Sequence, residues 1–242
     1  NDNTKIFWRH FLLSEEDALK NYNDIKNFIK GSIAENAPII PISAQHNVNI
    51  DVLIEAIEKY IPTPKRDQEK EPIMFITRSF DINKPGTEVV KLNGGVLGGA
   101  LKQGMLKIGD EIEIKPGHKI EKDGTIKFES IRTKIIGLQT GETTIKEVTP
   151  GGSIAVLTEL DPSYVKADKL TGNIVGTPGK LSPLWSDLEL KPHLLKSAIG
   201  TQEETLVEPI KKGEILMLNV NSSVSVGTVY ELKKDHIKLK LK

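Results

Sequence analysis

A chain of 242 residues and 26.7 kDa has room for one large domain or two small ones. Its 38% apolar content, corrected for 20 glycines and four tyrosines, reaches roughly 45%, and with 27% charged residues this excludes a disordered chain. Thirty-three basic and thirty-three acidic side chains cancel, which argues against wholesale coating of nucleic acid but leaves room for a local patch.

The first elements read as helix, strand, helix. Ser14 is placed to cap a helix whose first turn holds Glu15, Glu16 and Asp17, carboxylates favoured at the positive helix end. Ala18, Tyr22, Ile25 and Ile29 recur at helical spacing, and Gly31 sits where a C-terminal cap belongs. The apolar run Ala37–Ile42 predicts a buried parallel strand, followed by the loop Ser43-Ala44-Gln45. A second helix from about Asn49 presents Leu53, Ile54, Ile57 and Ile61 and stops at Pro62 and Pro64. One strand and two helices cannot bury their own apolar faces, so residues 1–64 read as the tail of a layered α/β domain.

Residues 65–71 (KRDQEKE) predict a charged linker, and from Pro72 the pattern turns to β. Strands are predicted over Met74–Asp81, Val96–Lys102, Glu111–Lys115, Thr125–Leu138 (with a break), Thr144–Val148, Ser153–Leu160 and Leu170–Gly176. Lys84-Pro85-Gly86, Ile108-Gly109-Asp110, Asp123-Gly124 and Pro150-Gly151-Gly152 are the turns between them. Short strands at this spacing predict a closed barrel over 72–180. After Gly176-Thr177-Pro178-Gly179 a second β region covers 181–242. Its strands are Leu184–Lys191, Glu214–Asn219, Ser225–Leu232 and His236–Leu241, too few to close a barrel.

The chemistry is best sorted by what is missing. There is no cysteine, hence no disulfide, thiolate metal site or cysteine nucleophile, and His10, His46, His118, His193 and His236 lack metal-ligand spacing. No window approaches the ~18–20 apolar residues of a membrane span, and Asn1–Trp8 lacks a signal-peptide pattern, so a cytoplasmic protein is expected. No GxxxxGK[ST] string and no Asp-x-x-Gly element occurs, and Gly172–Leu181 has the wrong spacing for a phosphate loop. Asn83-Lys84-Pro85-Gly86 begins like a guanine-reading motif but ends in glycine and reads as a turn. Ser43-Ala44-Gln45 is either a base-contacting loop at a strand's carboxyl end or an ordinary strand-to-helix turn. The run Gly94-Gly95-Val96-Leu97-Gly98-Gly99-Ala100 marks a bulge or barrel corner, or lets a nucleotide or aminoacyl group approach the backbone. Lys233, Lys234, Lys238, Lys240 and Lys242 read as a protected edge strand or a basic tail. No carboxylate pair or GxSxG context names a catalytic residue.

Several long stretches carry a resemblance. They are AENAPIIPISAQHNVNIDVLIEAI (34–57), RSFDINKPGT (78–87), GGVLGGALKQGMLKIGDEIEIKPG (94–117), Pro150–Ile154, Leu160-Asp161-Pro162, Lys166-Ala167-Asp168 and EILMLNV (214–220). In these the sequence closely resembles the gamma subunit of translation initiation factor 2, the archaeal form most. The resemblance implies the α/β remnant of a P-loop GTPase domain followed by all-β barrels. It also implies a factor that uses GTP with magnesium, carries methionylated initiator tRNA to the small ribosomal subunit, and joins alpha and beta subunits. Carried over residue by residue, Ser43, Ala44 and Gln45 match the guanine-contacting loop. Arg78, Ser79, Phe80, Gly98 and Gly99 match the surface that receives the tRNA's aminoacylated end. Trp8-Arg9-His10-Phe11 stands where Asn-Lys-x-Asp belongs, residues 1–11 resemble nothing in the family, and the third domain stops before its last strands. The chain therefore reads as truncated at both ends, and by itself is expected to bind neither GTP nor magnesium and to hydrolyse nothing. An RNA-binding barrel module or a fragment without activity are the alternatives.

Overall fold

A helix cap opens the first described element: the Ser14 hydroxyl oxygen accepts the Asp17 N–H at 3.1 Å at the start of α1, Glu15–Ile29. The structure, a computed structural model, describes residues 14–122, 125–195 and 207–241. The atypical leader over 1–11 and the predicted Asp123-Gly124 turn lie outside the described residues. The chain divides into two units, Asn1–Lys65 and Arg66–Lys242, each taken by itself below. No described helix is long and apolar enough to cross a membrane.

In the first unit, α2 follows over Ile50–Tyr60. Ala18 is the single buried residue of the two helices, while Phe28 and Ile57 stay exposed. That matches the expectation that these elements cannot cover their own apolar faces. The predicted strand at Ala37–Ile42 does not form. The run has no ladder, and the segment after it makes only an isolated bridge, Ser43↔Val48. A strand needs a neighbour, and among the described residues of this unit none is offered.

The second unit is built around a closed barrel. Its strands are β1 (Ile73–Phe80), β2 (Val96–Gln103), β4 (Glu111–Lys122), β5 (Thr125–Thr140), β8 (Ile154–Thr158) and β9 (Ile174–Gly176), with β6 (Thr143–Ile145) beside β5. The order β4-β9-β1-β2-β8-β5-β6 is closed by the β4–β5 pairing. A separate pair joins β3 (Leu106–Lys107) to β7 (Glu147–Val148). Met74, Ile76, Leu97, Ile114, Ile135, Val156 and Val175 fill the interior and are fully buried.

Three strand expectations change. The region predicted as broken, Thr125–Leu138, is one long strand that pairs with β4 first and with β8 and β6 later. Its turn from one neighbour to the next is absorbed by a register shift between Ile135 and Gly137. The predicted Thr144–Val148 is split into β6 and β7. The predicted Leu170–Gly176 shrinks to β9. Upstream of it stand a short helix α3 (Pro162–Val165) and a turn over Lys166–Asp168, in which Ala167 and Asp168 both take φ +57°. Within the predicted span, Gly172 takes φ +85° and the Thr171 and Asn173 N–H groups donate to the Asp168 and Leu170 carbonyls, so residues 170–173 form turns instead of a ladder.

The charged segment after Lys65 is docked rather than free. Arg66 Nη1 donates to the Leu101 carbonyl at 3.3 Å, the Gly104 N–H donates to Asp67 O at 2.8 Å, and Gln103 Nε2 donates to Glu71 O at 3.0 Å. Downstream, β10 (Asp187–Leu190), β11 (Ile215–Val220), β12 (Ser223–Leu232) and β13 (Ile237–Leu241) form a sheet in the order β10-β13-β12-β11. Val229, Ile237 and Leu239 are its buried centre. Its lysines are largely matched by acids: Lys233 and Lys238 meet Glu231 at 3.1 and 3.3 Å, and Lys240 meets Asp187 at 2.8 Å. The predicted edge strand is an interior one, because β13 pairs with β10 on one side and β12 on the other, and Lys233, Lys238 and Lys240 are held in ion pairs rather than forming a free cationic arm.

The joint after β9 is held by one buried carboxylate. Glu113, on the outer face of β4, is 4% exposed and accepts the Gly179 N–H at 3.0 Å, with Lys115 Nζ at 3.6 Å. Burial pushes its carboxyl up, but the Gly179 and Ser130 hydrogen bonds and the Lys115 and Arg132 charges outweigh that and hold it below the ordinary range. A lowered folded-state value means stability that is present above the unfolded value and lost as pH falls through the folded one. Glu113→Gln is therefore expected to cost about 1–3 kcal/mol near neutrality in a urea melt. The gap between the two proteins should close as the pH is lowered past the carboxylate range.

Candidate functional site

The outward end of the β1–β2 ladder gathers Arg78, Phe80 and Gly98 of the five residues predicted for acceptor-end contact. In β1 the inward side chains are Met74 and Ile76, then Ser79, because a register shift between Ile76 and Arg78 inserts one residue. The bulge turns Arg78 and Phe80 outward, where parity alone would have sent them inside with Met74 and Ile76. Arg78 pairs with Gly98 across the ladder.

The glycine run sorts into packing glycines and one open position. A Cβ on Gly94 would lie 1.8 Å from the Thr158 carbonyl oxygen, one on Gly95 2.5 Å from Val165, and one on Gly99 1.9 Å from the Phe75 oxygen. Those three are demanded by close approach of strands and of α3. Gly98 differs. A Cβ there would meet Arg78 Cβ at 3.4 Å and Phe80 Cε1 at 3.7 Å, ordinary contacts on the outer surface. Arg78, Phe80 and Gly98 thus share one outward face. Ser79 and Gly99 do not join it.

Ser79 serves instead as a tie. It is 1% exposed; its hydroxyl donates to Val165 O at 3.0 Å and accepts the Leu170 N–H at 3.0 Å. Its backbone N–H donates to Asp168 Oδ1 at 2.9 Å, and Arg78 Nε donates to the same oxygen at 3.0 Å. The Ser79 and Arg78 hydrogen bonds hold the Asp168 carboxyl below its ordinary range. The segment 165–170 is so laced to β1.

Beside this face lies a shallow groove of about 510 Å³, bounded by Phe80, Lys84, Thr87, Leu92, Lys166 and Ala167 among others. Its far wall is a stiff loop. Asn83 accepts the Asn93 N–H at 2.7 Å and donates to Asn93 O at 2.8 Å, while Asp81 Oδ1 accepts from Asn83's own N–H at 2.8 Å. Lys84-Pro85-Gly86-Thr87 is the turn its sequence predicts, with Gly86 at φ +85° and the Thr87 N–H donating to Lys84 O at 3.1 Å. In the sequence Lys84 reads only as part of a turn and Lys166-Ala167-Asp168 only as a stretch of family resemblance; neither carries a site role until the fold lays residues 165–170 against β1.

In the first unit, Ser43-Ala44-Gln45 opens a tight turn. The Ser43 and Val48 N–H groups exchange hydrogen bonds with each other's carbonyls, Asn47 and Asn49 take φ +52° and +56°, and Asn49 Nδ2 donates to Pro41 O at 3.0 Å. The N–H groups of Ala44 and Gln45 make no backbone hydrogen bond among the described residues and stand exposed, a suitable edge for a purine carbonyl. No described cluster of three or more acidic or histidine side chains is arranged to hold a metal ion, and no phosphate loop is in the sequence. The described residues offer no cradle for a triphosphate with its magnesium.

Comparisons with known proteins agree with this architecture. Residues 186–242 match the family model described as initiation factor eIF2 gamma, C terminal. The sequence is 56% identical over 230 residues to the translation initiation factor 2 subunit gamma of Pyrococcus furiosus, covering 95% of this chain and 56% of that protein. To the corresponding protein of Methanocaldococcus jannaschii it is 50% identical over 231 residues, covering 96% of this chain and 56% of that one. The chain thus spans about half the length of the curated relatives it matches. Among solved structures, a bacterial selenocysteine-specific elongation factor, EF-Sec, superimposes with a TM-score of 0.69 at 20% identity. That match covers 95% of this chain and 33% of the other and establishes a shared fold.

Proposed function

The chain belongs to the gamma-subunit family of archaeal translation initiation factor 2, and on that premise we propose that its barrel receives the aminoacylated 3′ end of initiator tRNA. The observation that carries this reading is the shared outward face of Arg78, Phe80 and Gly98 beside the groove bearing Lys84 and Lys166. A guanidinium supplies donors to a phosphate, an aromatic ring supplies a stacking surface, and a glycine lets the chain end approach the backbone. A net charge of zero suits such local recognition better than general RNA coating.

In the intact family this delivery is coupled to GTP, to alpha and beta subunits and to the small ribosomal subunit, and we assign this chain to the same pathway. When bound, GTP with magnesium supplies the switch; here Ser43, Ala44 and Gln45 would touch the guanine edge. The 242-residue chain alone is expected to show no micromolar, magnesium-dependent binding of a labelled GTP analogue in a fluorescence titration.

The direct test is titration of the chain with methionylated initiator tRNA, the uncharged tRNA and an unrelated RNA at several salt concentrations. The proposal requires the methionylated form to bind tightest. Equal, steeply salt-dependent binding of all three would favour a general RNA-binding barrel instead.

A further inference from the structure

Arg78 is exposed, with 69% of its side chain open to solvent, and a long exposed guanidinium would ordinarily sample many rotamers. Its Nε is nevertheless fixed at 3.0 Å from Asp168 Oδ1. That oxygen is itself fixed by the backbone N–H of Ser79, and the segment carrying it is tied down by the two hydrogen bonds of the Ser79 hydroxyl. Asp168 and Ala167 both hold φ +57°, a backbone that costs energy for residues other than glycine and that swings the carboxylate back over β1. The hydrogen bonds to Ser79 account for tying the segment to β1. The exposed Arg78–Asp168 pair adds little stability, and its geometry makes sense as orientation of the guanidinium.

We propose that Asp168 is the positioning residue for Arg78: by occupying Nε it holds the guanidinium beside Gly98 with both Nη groups free to fork a phosphate of an RNA 3′ end. This rests on the functional reading above. A carboxylate on Nε leaves the Nη pair as the remaining donors of the guanidinium, and a pair of parallel N–H bonds is the geometry that suits phosphate oxygens. Lys84 and Lys166 across the groove add positive potential without that directionality.

The test uses the full chain, isotopically labelled, as wild type, Asp168→Gly and Arg78→Ala. Glycine removes the Oδ1 that accepts both Arg78 Nε and the Ser79 N–H and suits the left-handed backbone of this position, while the segment stays tied through the Ser79 hydroxyl, so Asp168→Gly should remain folded in a urea melt. The NMR signal of the Arg78 Nε–H, protected in the wild type, should lose that protection in Asp168→Gly. Affinity for a methionylated acceptor-stem minihelix should drop about three- to tenfold, the expected cost of ordering one long side chain at the moment of binding. In an Arg78→Ala background Asp168→Gly should have no further effect, as a residue acting only through Arg78 requires. An Arg78 signal unchanged by Asp168→Gly overturns the positioning role whether or not the minihelix binds. A lost signal with unchanged affinity overturns it as well. Failure of the wild type to bind the minihelix at all would instead remove the functional reading, leaving the NMR comparison to show whether Asp168 orders Arg78.

Discussion

Gly99→Ala is expected to destabilise the barrel by on the order of 3–5 kcal/mol, while Gly98→Ala leaves its melting almost unmoved. The two glycines are adjacent and chemically identical, so only their surroundings can separate them. At Gly99 the new methyl would stand 1.9 Å from the Phe75 carbonyl oxygen, inside the β1–β2 ladder. Backbone cannot move aside as a side chain can, so the ladder itself must open. At Gly98 the nearest atom would be Arg78 Cβ at 3.4 Å, an ordinary contact. A domain's total stability is only about 5–15 kcal/mol, so the first change consumes much of it. The second should act on function alone, because its methyl occupies the space between Arg78 and Phe80. Urea melts of the two variants, read beside their affinity for methionylated tRNA, separate the roles. A Gly98→Ala variant that unfolds, or a Gly99→Ala variant that does not, would show that the ladder is registered differently.

The next largest effect is on binding. Arg78→Ala should weaken methionylated tRNA by roughly 10- to 100-fold, the worth of hydrogen bonds to a charged partner. It should also reduce the salt slope by about 0.7, the share of one phosphate contact to a single strand. Stability should change little, because the Arg78–Asp168 pair is largely solvent-exposed. Arg78→Lys should recover the salt slope but only part of the affinity, since a lysine restores charge without a planar fork. Loss of affinity with an unchanged salt slope would mean that Arg78 touches no phosphate.

Much of this arrangement is legible in the sequence, and the rest fails for identifiable reasons. Strong alternation and turn residues place β1, β2, β8 and the strands of the last sheet within a few positions of where they lie, and the turn at Lys84–Thr87 follows from Pro85 and Gly86. Helix α1 is announced by Ser14 and its acidic first turn. Ala37–Ile42 misleads because an apolar run reports a wish for burial, while a ladder needs a partner that periodicity cannot supply. β5 hides its continuity because one strand changes neighbours midway, so its burial pattern changes phase at Gly137.

The site is harder. The bulge at Ile76–Arg78 reverses the parity of β1, so which of Arg78, Ser79 and Phe80 faces out is decided by one inserted residue with no sequence mark. Ser79 and Gly99 look equivalent to their neighbours in the string and turn out to be structural. Asp168 lies 90 residues from Arg78 and meets it only through the left-handed turn at Ala167 and Asp168, a conformation rarely announced by those residue types.

The central claim is that the outward face of β1 and β2 meets the end of a charged tRNA. The most direct measurement is photo-crosslinking of methionylated initiator tRNA carrying a 3′-terminal azidoadenosine, with the modified peptides mapped by mass spectrometry. The face built from Arg78, Phe80 and Gly98 predicts adducts in the peptides spanning Arg78–Gly98 and at Lys166, lost when Gly98 becomes alanine. Adducts confined to the sheet of β10–β13, unaffected by that substitution, would contradict it.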